Sequence, residues 1–226
     1  MTQGKFVVLI NAAEGRDDEF NDWYSNQHAP DVLRIPGVLT AQRFQRMDQQ
    51  RSPDQPYKYS AMYDIEAEMA ARIIAELNRR GGTPEMPMTT SVAEPRYIGF
   101  FEAITPRVSV QTGFKSRFTF LVMTNSVEGR DDEFNDWYDN THIPDLLRVP
   151  GIAAAQRFRL LPMQRTPHQP WKYLCLYECD AEQPGSVIDE LVRRGGTPEM
   201  AMSSSLTEPR YSCFLQPIAE IVASKS

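Results

Sequence analysis

His28 lies four residues after Tyr24, and Tyr24 lies four residues after Phe20. On an α-helix this spacing puts all three side chains on one stripe, with Trp23 and Gln27 beside it. An imidazole next to a phenol is equipment for proton transfer. Histidine titrates near neutral pH, and the phenol can donate a hydrogen bond or a proton. Pro30 disfavours helix at Ala29 and removes a donor, so the helix is expected to end near His28. A helix end favours the imidazolium, whereas burial beside Trp and Tyr favours the neutral ring. The plain alternative is a histidine satisfied by a backbone carbonyl freed at Pro30. The same group of residues occurs again. EFNDWYSNQHAPDVLRIPG from Glu19 returns as EFNDWYDNTHIPDLLRVPG from Glu133, giving Trp137, Tyr138 and His142. His28 and His142 are two of only three histidines; the third, His168, falls in a Pro-rich loop and reads as surface.

Other residues could line a pocket around these pairs. Trp23 and Trp137 offer flat apolar walls, although aromatics on a buried helix face need no further reason. Gln42 and Gln156 put an amide on a half-buried strand, where it needs a ligand or a structural partner. Asn11 and Asn125 end the first strand of each copy, and a turn or capping role is favoured for them. Tyr59 and Tyr173, with Tyr57, Tyr63, Trp171 and Tyr177, form aromatic strand faces. Those faces either receive a flat ligand or pack together at the centre of the molecule. Met86 and Met200 follow a Gly-Gly-Thr-Pro turn and supply adaptable apolar side chains. Arg43 and Arg157 are expected on the opposite strand face, paired with acids.

The copying extends along most of the chain at a constant offset of 114 residues: EGRDDEFNDWY at Glu14 and Glu128, RRGGTPEM at Arg79 and Arg193, EPRY at Glu94 and Glu208. A period this long suits a small domain rather than a solenoid unit. Two patches stay alike while the stretch from Ala67 to Glu76 has drifted from Ala181 to Glu190. Each copy reads as six elements. In the first these are a strand over Phe6 to Asn11 and a helix from Asp17 to about His28, with Asp17 or Asp18 as its N-cap. Strands follow at Val38 to Arg46 and Tyr57 to Tyr63, then a helix over Glu66 to Arg80 closed by Gly81-Gly82, then a strand from Arg96 to Ile104. The order βαββαβ is the ferredoxin-like split arrangement. A sheet with helices on one face leaves its other face needing cover. A second copy supplies that cover, so the expected α+β fold packs two repeats sheet to sheet about a pseudo-twofold axis. The boundaries are 1–105 for the first repeat, 106–115 for a linker, 116–217 for the second repeat and 218–226 for an unmatched tail.

A net charge of −6 leaves no electrostatic footprint for nucleic acid or an anionic membrane. No apolar run approaches the roughly 20 residues of a membrane span. The N-terminal stretch is too short for a signal-peptide core and reads as a strand. Cys175, Cys179 and Cys213 all fall in the second copy, which argues against a disulfide framework or a shared metal site and for free thiols in a reducing cytoplasm. There is no glycine-rich phosphate loop, Cys-x-x-Cys, HExxH or nucleophile-elbow serine. Two lone histidines on symmetry-related helices do not make a metal site.

The βαββαβ order, with FNxWYxxxHxPDLLRVPG on and after the first helix, resembles the dimeric α/β-barrel superfamily and, within it, the EthD-like proteins. The resemblance covers both copies. It implies an intramolecular version of a barrel that most members build from two identical chains, and it leaves a further homo-oligomer of the fused pseudo-dimer open. Members include cofactor-free monooxygenases of polyketide tailoring, muconolactone isomerase and haem enzymes such as chlorite dismutase. The helix position of His28 does not match an axial haem ligand, so no cofactor is expected. The leading expectation is a cofactor-independent lyase or isomerase acting on a hydrophobic, aromatic or phenolic small molecule. His28 or His142 moves the proton, and Tyr24 or Tyr138 assists. One alternative is a cofactor-free monooxygenase in which histidine deprotonates a phenol that then reacts with oxygen. The other is a binding or accessory protein with no chemistry.

Overall fold

The structure is a computed structural model in which residues 2–53 and 55–224 are described. In the first half, β1 (Gln3–Ala12) leads into α1 (Asp17–Trp23), a π-helical turn (Tyr24–His28) and α2 (Ala29–Leu33). Strands β2 (Val38–Arg46) and β3 (Tyr59–Glu66), helix α3 (Ala70–Arg80) and β4 (Val92–Ala103) complete it, followed by the short β5 (Val108–Ser109). The second half repeats the order. It comprises β6 (Phe118–Ser126), α4 (Asp131–Trp137), a π-helical turn (Tyr138–His142), α5 (Ile143–Leu147), β7 (Ile152–Leu160), β8 (Tyr173–Cys179), α6 (Pro184–Arg194), β9 (Leu206–Pro217) and β10 (Val222–Ala223).

The strands form one antiparallel sheet that closes on itself. Its path is β2-β3-β1-β4-β7-β8-β6-β9, and β9 pairs back to β2. The halves therefore meet edge to edge at two seams. One joins Phe101 to Leu160 through Ala103 to Phe158, and the other joins Phe44 to Pro217 through Arg46 to Leu215. Closure leaves these strand edges with no free ladder. It also explains why β1 reads FVVLI without alternation. Phe6, Val8 and Ile10 pack under the helices of their own half, while Val7 and Leu9 face the barrel interior. The interior is filled by side chains from both halves, among them Leu9, Phe44, Phe101, Leu121, Phe158 and Leu215.

Three expectations need correction. The helix does not end at His28. It runs through a π-turn in which Ala29 N–H bonds to Tyr24 O, and Pro30 sits in the first turn of α2. A proline is tolerated there because the register has already slipped by one residue and its missing N–H is not needed. The N-cap position belongs to Arg16, not to Asp17 or Asp18, which lie in the first turn with Glu19. Segments expected to be a bare linker and an unmatched tail both add strands. β5 pairs with β7, and β10 pairs with β2, at Ala154–Ala155 and Thr40–Ala41 respectively. Val108 and Val222 thus do the same job 114 residues apart in unlike sequences. Lys225 and Ser226 of the expected tail lie outside the described residues.

Candidate active site

Each half holds a cavity between its helices and its sheet, about 250 Å³ in the first half and about 300 Å³ in the second. The floor of the first is Phe6, Val8, Ile10 and Ile98 from β1 and β4; Leu77 and Met86 form one wall. Tyr24 and His28 close it from the π-turn. The extra residue in that turn lets the His28 ring stack on Trp23 at 4.5 Å between centroids and meet Tyr24 edge-on at 5.0 Å. His142 repeats both contacts at 4.5 and 4.9 Å. The tryptophans are themselves pinned, Trp23 Nε1–H donating to Pro87 O and Trp137 Nε1–H to Ala201 O, each at 3.0 Å. These acceptors belong to the loop after the GGTPEM turn, so the two retained patches of sequence are one structural unit.

The turn is fastened from below by an arginine. Arg43 is buried and donates to Asn21 O (3.1 Å), Asn21 Oδ1 and Ser25 Oγ (2.7 Å each), with its guanidinium 4.7 Å from the Tyr24 ring centroid. Arg157 lies 4.3 Å from the Tyr138 centroid and donates to Asn135 Oδ1 (2.7 Å) and Asp139 Oδ1 (2.6 Å). The expected acid partner therefore exists in the second half only; amide, carbonyl and hydroxyl oxygens serve in the first. Both guanidiniums lie against an aromatic face, where a desolvated cation is stabilised.

These surroundings set the protonation states. Burial holds His28 down at about 4, assisted by the positive charges of Arg96, Arg165 and Arg43. Burial holds His142 down at about 3, assisted by Arg157, Arg51 and Arg210. Both rings are neutral at neutral pH, so the imidazolium favoured by a helix end does not arise. The Nδ1 of each ring is buried without a hydrogen-bond partner, so neither histidine is satisfied by a freed carbonyl. A neutral imidazole keeps one acceptor nitrogen. The tyrosines do not bond to it. The Tyr63 hydroxyl donates to the Tyr24 hydroxyl at 3.4 Å, and the Tyr138 and Tyr177 hydroxyls are 3.1 Å apart. Burial pushes the Tyr24 and Tyr138 phenols up, so both stay protonated.

The expected site residues divide. His28, Tyr24, Trp23 and Met86 line the first cavity; His142, Tyr138 and Met200 line the second, with Trp137 stacked behind His142. The others lie elsewhere. Tyr59 donates to Asp17 Oδ1 at 2.6 Å and Tyr173 to Asp131 Oδ1 at 2.7 Å, each tying a strand to the start of a helix. Tyr63 and Tyr177 also face the helices, Tyr177 lining the second cavity, whereas Tyr57 and Trp171 pack against the barrel interior beside Tyr97 and Tyr211, so the strand aromatics divide between the two sides of the sheet. Asn11 bridges Pro56 O and Lys58 N, and Asn125 bridges Pro170 O and Lys172 N, which are turn roles. Gln42 donates to Ala219 O, and Gln156 to Gln3 Oε1 and Thr105 O, so both amides bind the strand-adding segments rather than a cavity. The two cavities are not identical. Ala61/Cys175 and Gly99/Cys213 lie outside them, whereas Thr124 and Ser212 make the second cavity more polar where the first has Ile10 and Ile98. Among the described residues, no group of three or more His, Cys, Asp or Glu could hold a metal ion.

A closed antiparallel barrel with helices outside has the arrangement of the dimeric α/β-barrel fold. No protein-family model matches the chain, and no curated protein matches it by sequence. Solved structures do. An anthrone oxidase-like protein superposes with a TM-score of 0.65 at 11% identity, covering 100% of this chain and 94% of the other. A candidate monooxygenase from Lactobacillus acidophilus gives 0.55 at 9% identity, covering 99% and 97%. A mutant chlorite dismutase from Candidatus Nitrospira defluvii gives 0.54 at 9% identity, covering 96% and 93%. At these identities the likeness concerns fold.

Proposed function

We propose that the chain is a tandem-duplicated, EthD-like form of the dimeric α/β barrel, with repeats at 1–105 and 116–217. In this reading it is an enzyme that removes a proton from a hydrophobic aromatic or phenolic molecule without a cofactor. The observation that carries the proposal is a neutral imidazole lining a cavity in each half, its Nδ1 without a hydrogen-bond partner. Proton transfer from ligand to His28 or His142 leaves a delocalised anion beside an imidazolium. At rest the imidazole is a weak base. The anion formed next to it attracts the new positive charge and offsets the burial that suppresses protonation. Tyr24 and Tyr138 shape the wall and hold the ring; their hydroxyls are engaged with other tyrosines.

The anion has two fates. Reprotonation or elimination gives the isomerase or lyase expected from the residues. Reaction with dioxygen gives a monooxygenase, a second reading favoured by the relatives described as anthrone oxidase-like and as candidate monooxygenases. Anthrone is a suitable probe because its methylene is acidic and its oxidation to anthraquinone consumes one dioxygen and releases one water. Turnover in air but not under argon supports the oxygenase fate. Methylene exchange without net oxidation supports the isomerase or lyase fate. Binding with neither, across a series of phenolic carbon acids, leaves only a binding protein.

A further inference from the structure

Two arginines in each cavity come from different halves of the chain. The first cavity is lined by Arg96 of its own β4 and by Arg165 from the β7–β8 loop of the second half. The second is lined by Arg210 of its own β9 and by Arg51 from the β2–β3 loop of the first half. Arg51 and Arg165 are counterparts 114 residues apart, as are Arg96 and Arg210.

The crossing is built, not incidental. Gln164, next to Arg165, accepts from Phe100 N at 2.9 Å and donates to Phe100 O at 2.8 Å. Gln50, next to Arg51, makes the same pair with Phe214 N and O, each at 2.8 Å. A side-chain amide thus imitates a strand and clips each loop to the last long strand of the opposite half. From there each guanidinium reaches over a glycine. A Cβ at Gly81 would lie 3.9 Å from Arg165 Nη2, and one at Gly195 would lie 3.8 Å from Arg51 Nη2. Arg165 is further fixed by donating from Nε to Asn78 Oδ1 at 2.9 Å. This gives the retained Arg-Arg-Gly-Gly turn a second task besides ending a helix.

Placing two guanidiniums at one small cavity is unfavourable unless something negative lies between them. Burial and, after it, the charge of Arg96 lower Arg165; burial and, after it, the charge of Arg210 lower Arg51. Arg96 already pairs with the exposed carboxylate of Glu94 (3.1 Å), and Arg210 with that of Glu208 (2.7 Å), which itself lines the second cavity and would have to give way to a ligand. Exposed pairs of this kind are weak and readily exchanged. A planar guanidinium takes a carboxylate at two points.

We propose that each cavity binds an aromatic carboxylate, its rings on the apolar floor beside histidine and its carboxylate between an arginine of its own half and one lent by the other. This names the substrate class of the enzyme proposed above and rests on that reading. It makes each half a required part of its neighbour's site, which a separated repeat lacks.

The test is calorimetric titration of the full chain with 2-naphthoate and with the neutral 2-naphthalenemethanol. Wild type is expected to bind the acid at least about tenfold more tightly, as charge-assisted hydrogen bonds of this type allow. R51A/R165A is expected to lose most of that preference while its affinity for the alcohol stays within about twofold, since the apolar floor is untouched. Both positions are on loops; if the double alanine variant does not fold, R51Q/R165Q keeps the side-chain length and gives the same comparison. Equal binding of acid and alcohol by wild type, or a preference that survives in the variants, overturns the arginine proposal and leaves the enzyme reading standing. Failure of wild type to bind either probe overturns both.

Discussion

Acidification should unfold this protein through two residues. The imidazoles of His28 and His142 are held in the folded chain at about 4 and about 3, against an ordinary value of 6.5. Their folded values are lowered, so the folded state binds fewer protons than the unfolded one between those limits. The stability they contribute is therefore complete above 6.5 and is lost as pH falls through 6.5 toward the folded values. At about pH 5 an unfolded histidine is almost fully protonated and these two are not. Relative to about pH 7, each then costs about 2 kcal/mol, and the pair about 3–4 kcal/mol. The figure depends little on where below 5 the folded values lie, because the unfolded chain sets the uptake. That is a large share of the 5–15 kcal/mol typical of a domain, roughly. Urea denaturation followed by tryptophan fluorescence at the two pH values measures it. H28Q/H142Q is the control, because carboxylates contribute equally to both proteins. The double variant should lose most of the pH dependence in this window. Wild-type stability that is flat between the two values, or a double variant as acid-sensitive as wild type, would refute the burial argument.

Three further outcomes are expected. Asp139→Ser copies the first half, where Ser25 accepts from the equivalent arginine, and should cost no more than about 1.5 kcal/mol. Asp139→Leu leaves the buried Arg157 with Asn135 as its side-chain acceptor and should cost about 1–3 kcal/mol, more than Asp139→Ser, in the same denaturation assay. Cys175, Cys179 and Cys213 are pushed up to about 12, about 12 and about 11 by burial, so a thiol reagent at neutral pH should label them only after unfolding. A chain ending near residue 105 would expose Val7, Leu9, Phe44 and Phe101, so sedimentation should show it aggregated or self-associated rather than a stable monomer.

Much of the fold was legible because the chain states it twice. The 114-residue offset aligned strands and helices in pairs, and the i, i+4 spacing placed Tyr24 and His28 on one stripe. The local rule that failed was the one about proline. Pro30 should stop a helix, but the backbone slips a register at Tyr24–His28 and continues, and no periodicity signals such a bulge. The strand-edge roles of Gln42 and Gln156 were illegible because their partners, Ala219 and Gln3, lie 177 and 153 residues away. Arg51 and Arg165 escaped for the same reason. A loop clipped to the opposite half leaves no pattern in its own neighbourhood. The signal was present as the Gln-Arg pairs at 50–51 and 164–165, which recur at the offset together with Pro53, Gln55, Pro56 and Lys58 and their counterparts Pro167, Gln169, Pro170 and Lys172.

The central claim is that His28 and His142 accept a proton from a bound carbon acid. The most direct measurement is deuterium uptake at the anthrone methylene in D₂O under argon, followed by proton NMR with and without protein. Wild type should accelerate exchange, and H28Q/H142Q, folded and still binding anthrone, should be slower by at least about a hundredfold. Exchange that is equally fast in the folded double variant would contradict the claim and leave both histidines as parts of the wall.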